Sequence, residues 1–305
     1  MDLKTLTLSV CATARRAGSF IRDERRQFRS ERIEHKHAHD YVSYVDKESE
    51  RLIVSELRQL LPEAGFITEE GSAGHGDEDY CWVVDPLDGT TNFIHRFPPY
   101  AVSIALMKGS DILIGVVYEV CADECFYAWQ GGGAYVNGTP LLAGNDVVGN
   151  ASKRCGKESP DCDASKRCEK ESPDCDASKR CGKESPDCSS NALTDALLCL
   201  QLPYNSEAYK PVIERLIDRF YGRVASIRMM GSAAVALCYV AAGRLDGYAE
   251  KYIGQWDYMA GALIVKEAGG MVTDYTGSSH FTHGDSIVAT NGLIHQDLLE
   301  AIRLS

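Results

Sequence analysis

The sequence lacks an excess of basic charge, and it lacks any long apolar run. Its 305 residues include 32 Lys and Arg against 44 Asp and Glu, a formal net charge of -12, which argues against an electrostatic grip on nucleic acid by the whole chain. No run approaches the roughly 18 apolar residues that a membrane span requires. The N-terminus also lacks the basic and apolar regions of a signal peptide. We therefore expect a cytoplasmic protein that does not use a membrane.

Cysteine is abundant, with 12 residues, but half of them belong to a tandem repeat. A 13-residue unit starts at Ala151, Ala164 and Ala177, and the array runs over 151–188. It is polar, it balances its charges and it carries a proline in every copy, so it cannot bury enough apolar area to offset its ordering entropy. Its cysteine spacings also differ from the Cys-x2-4-Cys of zinc sites. We interpret 149–190 as an inserted low-complexity loop, with metal binding or disulfide pairing as the alternative.

The rest of the chain has a globular composition and alternating secondary-structure signals. Hydrophobic periodicity predicts helices over 3–28, 45–61, 206–221, 232–242, 257–268 and 294–303. Apolar runs between turn signals predict strands over 66–68, 81–84, 101–107, 112–120, 125–129, 196–201, 245–250, 271–275 and 286–290. These elements predict an α/β fold of layered helices and sheets. We expect an N-terminal domain over 1–148 and a C-terminal domain over 191–305.

The sharpest local motif is Asp-Pro-Leu-Asp-Gly-Thr-Thr-Asn-Phe, from Asp85 to Phe93. It follows the apolar strand at 81–84 directly, which places its carboxylates at the edge where open α/β sheets hold ligands. Pro86 bends the backbone, so that Asp85 and Asp88 can turn toward one point. Gly89 permits a tight turn, and the next residues can open a helix whose N–H groups suit a phosphate.

Two further acids are placed to join this motif. Glu69 ends the preceding strand, and Asp257 lies at the predicted start of a helix. Carboxylates that lie close together repel each other unless a cation joins them, and oxygen ligands select hard ions such as Mg²⁺. Four acids suit a phosphoryl-transfer site with more than one metal. The alternative is that Asp85 and Asp88 are only turn and cap residues.

Three segments together resemble the signatures of the inositol monophosphatase family. They are Glu69-Glu70, the Asp85–Phe93 motif, and Trp256-Asp257 with Ala260-Gly261. Segments 231–234, 267–270 and 36–46 are similar to the family in order and spacing as well. The resemblance covers nearly everything except the array. It implies an αβαβα sandwich, a lithium-sensitive phosphatase with two to three Mg²⁺ ions, and a homodimer.

The resemblance also implies a role for each matching residue. The expected metal ligands are Glu69, Asp85, the Leu87 carbonyl, Asp88 and Asp257. Thr90 and Asp46 are expected to orient the attacking water, and Glu69 to help place a third ion. The expected substrate contacts are Gly89, Thr90, Ser232, Ala233 and Glu250, with Lys36 as a possible further site residue. The histidines around Lys36 are expected to lie in an exposed loop and not to form a zinc site.

Two readings of function follow. The first is a hydrolase of inositol 1-phosphate, with adenosine 3′,5′-bisphosphate, fructose 1,6-bisphosphate and histidinol phosphate as alternative substrates. The second is a regulatory protein on the same fold, since some bacterial relatives are thought to contact the transcription machinery. Arginines crowd the first helix and its exit at positions 15, 16, 22, 25, 26, 29 and 32. We favour a solvated helix face over a nucleic-acid surface for this cluster.

Overall fold

A computed structural model describes residues 1–27, 33–37, 40–71, 78–143, 193–202, 206–282 and 284–303. The repeat array and the rest of the predicted insertion at 149–190 lie outside these residues. Among the helices described, none is long and apolar enough to cross a membrane.

The described chain forms helices and strands in close agreement with the predicted ones. The helices are α1 (Leu3–Gln27), α2 (Tyr44–Leu60), α3 (Thr90–His95), α4 (Ser206–Phe220), α5 (Ala233–Ala241), α6 (Gln255–Glu267) and α7 (His295–Arg303). The strands are β1 (Ile33–His37), β2 (Asp40–Ser43), β3 (Gly65–Thr68), β4 (Tyr80–Asp88), β5 (Ala101–Lys108), β6 (Asp111–Glu119), β7 (Glu124–Trp129), β8 (Ala134–Val136), β9 (Thr139–Leu141), β10 (Leu197–Leu200), β11 (Ser226–Arg228), β12 (Gly247–Ile253), β13 (Met271–Thr273) and β14 (Asp285–Thr290).

Two sheets and three helical layers alternate through the molecule. The seven-stranded sheet has the order β3-β4-β5-β6-β7-β8-β9, and the five-stranded sheet has the order β11-β10-β12-β14-β13. One apolar core joins α1 and α2 to the first sheet, a second joins both sheets to α5 and α6, and a third joins the second sheet to α4 and α7. The expected αβαβα sandwich is therefore confirmed.

The layers explain the hydrophobic patterns of their helices. On α1, apolar residues at helical spacing, including Val10, Ala14 and Ile21, are buried against the first sheet. In contrast, α5 and α6 lie between two sheets and are buried on nearly all sides. Small residues permit this close packing: a Cβ on Gly261 of α6 would lie 2.6 Å from Leu237 Cβ of α5. Helix α6 is thus fixed between the layers, with its first turn near the end of β4.

Two parts of the structure differ from the predicted elements. The prediction of a loop for the histidine-containing stretch is wrong for the backbone. Ile33–His37 and Asp40–Ser43 form two paired antiparallel strands. Strands β8, β9 and β11 were not predicted, since three residues are too few to show a period. The predicted Asn137-Gly138 turn is confirmed and joins β8 to β9, with positive φ at both residues. The two-domain division stays a prediction.

Candidate metal centre

Asp85 and Asp88 lie at the carboxyl end of β4, in a strand that does not stop at Pro86. Asp85 pairs with Ser103 and Asp88 pairs with Ala101, so two residues of β4 face one residue of β5 between these pairs. This bulge changes the alternation of side chains. The N–H of Leu87 donates a 2.9 Å hydrogen bond to Asp85 Oδ1. The bend predicted at Pro86 is therefore present as a bulge inside the strand.

Asp257 reaches the same point from the first turn of α6. Its Oδ2 accepts a 2.8 Å hydrogen bond from the N–H of Gly254, which precedes the helix. Asp85, Asp88 and Asp257 each offer a carboxylate oxygen, and these three oxygens lie within 4.8 Å of one another. The convergence expected for these three acids is present in the structure.

Burial and mutual repulsion oppose ionisation in this cluster. Burial, followed by the charges of Glu69, Asp88 and Asp257, raises the pKa of Asp85 well above its usual range. Burial also raises the pKa of Asp88 to about 6, although hydrogen bonds from Ser232 and its neighbours oppose that shift. Burial, followed by the charges of Asp88 and Glu250, raises the pKa of Asp257 well above its usual range. Two buried carboxylates and one half-buried carboxylate in one place form an oxygen donor set that fits a hard divalent cation.

Glu69 approaches the cluster from the adjacent strand. It follows β3, which runs parallel to β4 with Thr68 opposite Val84, and its N–H donates a 3.2 Å hydrogen bond to the Val84 carbonyl. Its side chain is half-buried. Because its charge raises the pKa of Asp85, Glu69 lies within electrostatic reach of that aspartate.

Thr90 and Asp46 form a contact beside the bulge. The Thr90 hydroxyl donates a 2.8 Å hydrogen bond to Asp46 Oδ1 and also lies 3.0 Å from the Leu87 carbonyl oxygen. Asp46 is buried in the first turn of α2. The structure therefore brings together Asp46, Leu87 and Thr90, which the sequence analysis expected in one site.

Ser232 and Ala233 lie at the start of α5 and contact Asp88. The Ser232 hydroxyl donates a 2.5 Å hydrogen bond to Asp88 Oδ2, and the Ala233 N–H donates a 3.2 Å hydrogen bond to Asp88 Oδ1. The N–H of Ala234 adds a 2.8 Å hydrogen bond. These two expected substrate contacts thus bind a carboxylate of the cluster, and their contact with a substrate stays a prediction.

The remaining expected site residues differ in how closely they join the cluster. Glu250 on β12 accepts a hydrogen bond from the Tyr248 hydroxyl, and burial raises its pKa to about 8. Its charge also raises the pKa of Asp257. Gly89 precedes α3 with a φ of +91°. Lys36 lies in β1, but its side chain is outside the described part of the chain.

The sequence analysis missed the polar residues that support the site from behind. Glu50 on α2 is fully buried and binds the segment on both sides of Glu69. Gln201 accepts hydrogen bonds from the N–H groups of Met230 and Gly231, just before Ser232. A signal for Glu50 existed, since it is a polar residue on the buried stripe of an amphipathic helix.

The family of the chain follows from a match to a family model. The model described as "Inositol monophosphatase family" matches residues 2–305. This chain belongs to that family. The expected resemblance is confirmed over the whole chain, including the three segments that surround the carboxylate cluster.

Relatives within the inositol monophosphatase family carry different names. The chain is 33% identical over 265 residues to a protein of Mesorhizobium japonicum named inositol-1-monophosphatase. The aligned region covers 87% of this chain and 83% of the relative. It is 33% identical to the Nus factor SuhB of Salmonella typhimurium, over 98% of this chain and 95% of the relative. The solved inositol monophosphatase of Anabaena shares the fold, with a TM-score of 0.76, 27% identity and coverage of 100% and 97%.

Proposed function

We propose that this protein is a Mg²⁺-dependent phosphomonoester hydrolase that converts inositol 1-phosphate into inositol and phosphate. One observation carries the proposal, namely that carboxylate oxygens of Asp85, Asp88 and Asp257 lie within 4.8 Å of one another. Nothing in the packing of two sheets requires three acids at one buried point. The name of the Mesorhizobium relative supports the choice of substrate.

The donor set fits Mg²⁺ better than a soft metal. All the donors are oxygens, as hard ions require, and the two aspartates of β4 are buried. We assign Asp85, Asp88 and Asp257 as ligands, with Glu69 and the Leu87 carbonyl completing the set. Divalent cations held there would supply a Lewis acid and lower the pKa of a water molecule.

Thr90 and Asp46 would orient the water that attacks phosphorus. A threonine hydroxyl has one proton to donate and two lone pairs that accept. Because Asp46 accepts the Thr90 proton at 2.8 Å, the lone pairs of Thr90 are left to accept a hydrogen bond from water. Held in this way, the water would present its oxygen to the phosphorus at a fixed angle, which is the positioning that phosphoryl transfer depends on.

The substrate side of the proposal rests on Gly89, Ser232, Ala233 and Glu250. Backbone N–H groups at Gly89 and Thr90 would bind phosphate oxygens, while the residues at the start of α5 and the Glu250 carboxylate would bind the hydroxyls of the ring. Glu250 suits this role because its carboxylate is near the cluster yet half-buried. With its pKa raised to about 8, the Glu250 carboxyl group can donate a hydrogen bond to one ring hydroxyl and accept from another, which favours a polyol over a base.

A phosphate-release assay tests the proposal. The panel contains inositol 1-phosphate, adenosine 3′,5′-bisphosphate, fructose 1,6-bisphosphate and histidinol phosphate, each with and without Mg²⁺. We expect Mg²⁺-dependent release that is fastest with inositol 1-phosphate, and we expect Li⁺ to inhibit it. The Asp85→Asn variant should lose about 100-fold or more in rate. It should keep its stability in the absence of metal, because burial and the neighbouring carboxylates oppose the ionisation of Asp85, so a neutral asparagine is tolerated at this position.

Asp246→Asn is the matched control for Asp85→Asn. Asp246 is also buried, but it lies outside the cluster and accepts hydrogen bonds from Leu197 and Asn291. We expect its turnover per folded molecule to stay near that of the wild type. Wild-type turnover by Asp85→Asn would refute the metal site.

A regulatory role is the second candidate, and the name Nus factor SuhB of the Salmonella relative is the observation that favours it. The structure weakens a nucleic-acid surface on α1, because several of its arginines have acidic partners. Arg15 and Arg22 lie near Asp123, Arg16 binds Glu56, and Arg26 binds Asp23. Binding of single-stranded RNA measured against salt tests this role, since real phosphate contacts give binding that falls steeply with salt. Absence of RNA binding at low salt would exclude a regulatory role that depends on RNA binding.

We also expect the protein to form a homodimer, as the family resemblance implies. Light scattering coupled to size-exclusion chromatography measures this directly. A mass near twice 33.5 kDa is the expected result, and a mass near 33.5 kDa at micromolar concentration would contradict it.

A further inference from the structure

A single buried carboxylate accepts hydrogen bonds from the residues on both sides of Glu69, from the side chain of Thr68 and from the backbone of Glu70. Glu50 is fully buried on α2. Its Oε1 accepts a 3.0 Å hydrogen bond from the Thr68 hydroxyl, and its Oε2 accepts a 2.8 Å hydrogen bond from the Glu70 N–H. The residue between these two donors is Glu69, the expected metal ligand that comes from β3.

We propose that Glu50 is a positioning residue for metal binding. It fixes the segment from Thr68 to Glu70, so that the Glu69 carboxylate is presented to the aspartate cluster. Glu50 does not touch the metal or the substrate and acts only through Glu69. This inference rests on the proposed function of the site, because it assigns Glu69 as a ligand.

Glu69 needs such a support because it lies where β3 has ended. The last pair of the ladder is Thr68 with Val84, and Gly71 takes a positive φ of 69°, where the chain turns away. Glu69 and Asp85 are close enough for their like charges to interact, and without a cation these charges repel each other. Such repulsion favours movement of the half-buried Glu69 side chain away from the cluster unless its backbone is fixed.

A glutamate matches the two donors better than other residues do. An ionised carboxylate has two oxygens that only accept hydrogen bonds, and here each oxygen faces one donor. A glutamine at the same place would turn an NH₂ group toward either the Thr68 hydroxyl or the Glu70 N–H. One contact would therefore be lost, although the size of the side chain would not change.

Glu50 is one of three neighbouring residues of α2 that each bind a different part of the site. Asp46 accepts the hydrogen bond from Thr90, and Ser49 donates a 3.2 Å hydrogen bond to the Pro86 carbonyl. Asp46 and Glu50 are four residues apart and thus share one helix face. The buried polar face of α2 therefore sets the relative positions of the Glu69 segment, the β4 bulge and Thr90.

Direct measurement of Mg²⁺ binding by calorimetry, without substrate, tests the proposal. We expect E50Q to bind Mg²⁺ about tenfold or more weakly than the wild type, as is typical when the partner of a ligand is lost. Thr68→Val should also weaken binding, because it removes one donor to Glu50. Valine keeps the shape and β propensity of threonine, and this variant leaves the charge of the cluster unchanged.

Two further variants separate positioning from general effects. Glu56→Gln lies on the same helix and removes the ion pair between Glu56 and Arg16, so it disturbs α2 without touching Glu69. We expect it to keep wild-type Mg²⁺ affinity. In a double-mutant cycle, E50Q added to Glu69→Gln should weaken binding no further, because Glu50 acts through Glu69.

The outcomes distinguish this proposal from the proposed function. If the wild type binds no Mg²⁺, the proposed function itself fails. If the wild type binds Mg²⁺ while E50Q and Thr68→Val stay within twofold of it, only the role of Glu50 is overturned. Weak Mg²⁺ binding by E50Q with normal Mg²⁺ binding by Thr68→Val would indicate that Glu50 acts through its charge. That result would also overturn the proposal that Glu50 positions Glu69. Should E50Q not fold, Thr68→Val and its cycle with Glu69→Gln decide.

Discussion

The hydroxyl of Ser232 donates a 2.5 Å hydrogen bond to Asp88 Oδ2 across a sequence separation of 144 residues. Asp88 ends β4 in the first sheet, whereas Ser232 is the N-cap of α5 in the helical layer between the sheets. The same carboxylate accepts hydrogen bonds from the first N–H groups of α5, where a negative charge is favourable. One carboxylate therefore serves both the candidate metal centre and the packing of α5 against β4.

Replacing Ser232 with alanine should weaken both metal binding at the candidate centre and the packing of α5 against β4. The variant removes an N-cap, which costs about 1 kcal/mol, and a hydrogen bond to a charged group, worth about 1.5–3 kcal/mol. We expect the free energy of unfolding to fall by about 2.5–4 kcal/mol in urea titration and Mg²⁺ affinity to fall with it. Ser55→Ala, at an exposed position of α2, is the control. Wild-type stability and affinity in Ser232→Ala would contradict a shared role.

Alanine at Gly89 should be far more damaging than alanine at Gly138. Both glycines have positive φ, of 91° and 85°, so both variants carry similar backbone strain of about 1 kcal/mol. A Cβ at Gly89 would also lie 3.0 Å from the Gly231 carbonyl oxygen and 3.2 Å from that of Pro99, whereas nothing lies within 4 Å at Gly138. The difference between the variants therefore measures the close approach of the Gly89 turn to the start of α5.

We expect Gly138→Ala to keep wild-type turnover and Gly89→Ala to lose both stability and turnover. Chemical denaturation and phosphate release measured on the same samples give the two values. Equal losses of stability in the two variants would mean that the segment before α5 can move aside.

The β4 end of the site could be predicted from local sequence, because its causes are local. A buried apolar run, a proline and two acids three residues apart predict a strand that ends in converging carboxylates, and Asp85 and Asp88 are found there. Glu69 and Asp257 were expected at the site because each lies at the end of a predicted element, and the family resemblance supported that expectation. Local signals alone do not show that they meet the cluster, because this depends on the pairing of β3 with β4 and the packing of α6.

The supporting contacts were missed because they join distant segments through side chains. Glu50 carries no local sign of its partners at Thr68 and Glu70, beyond being polar on a buried helix stripe. Gln201 is similar, since its partners lie about thirty residues away at Met230 and Gly231. Hydrophobic periodicity locates helices and strands, but it does not identify which polar residue will face which loop.

Acid should destabilise the protein through His295. Its ring lies in a buried position, with Nε2 at 3.0 Å from the Thr273 hydroxyl and Nδ1 at 3.0 Å from the Thr290 hydroxyl. Burial lowers the pKa of His295 below its ordinary 6.5, so below that pH the unfolded chain binds more protons than the folded protein does. The free energy of unfolding should therefore decrease as the pH falls from 7 through 6.5, by at most about 1.4 kcal/mol per pH unit.

His295→Gln isolates this effect, because glutamine keeps a donor and an acceptor but does not titrate. We expect the stability advantage of the wild type over this variant to shrink between pH 7.5 and pH 5.5 in urea titrations. His280→Gln, at an exposed position, controls for loss of a histidine from the surface. A constant difference between the wild type and His295→Gln over this range would show that His295 does not cause the acid sensitivity.

Deleting the array at 151–188 should leave turnover and stability close to those of the full chain. On one side of the insertion, the Ala143 N–H donates a 2.6 Å hydrogen bond to the carbonyl of Ala268, at the far end of α6 from Asp257. Eleven helical residues separate these positions by about 16 Å. On the other side, Leu197 begins β10, whose last residue Leu200 pairs with Ala249, next to Glu250. Both attachment points therefore lie away from the carboxylate cluster.

A shorter connection also loses less entropy when the chain folds, by on the order of 1 kcal/mol, so the deletion variant should be as stable as the full chain or slightly more so. Phosphate release should stay within about twofold of the full chain. A second variant, in which Gly and Ser replace the array at equal length, separates the sequence of the repeat from its length. If deletion abolishes turnover but the Gly-Ser variant restores it, the connection matters only as a spacer. If both variants lose turnover, the repeated sequence itself contributes to activity. The prediction is then wrong, although the attachment points of the array lie far from Asp257.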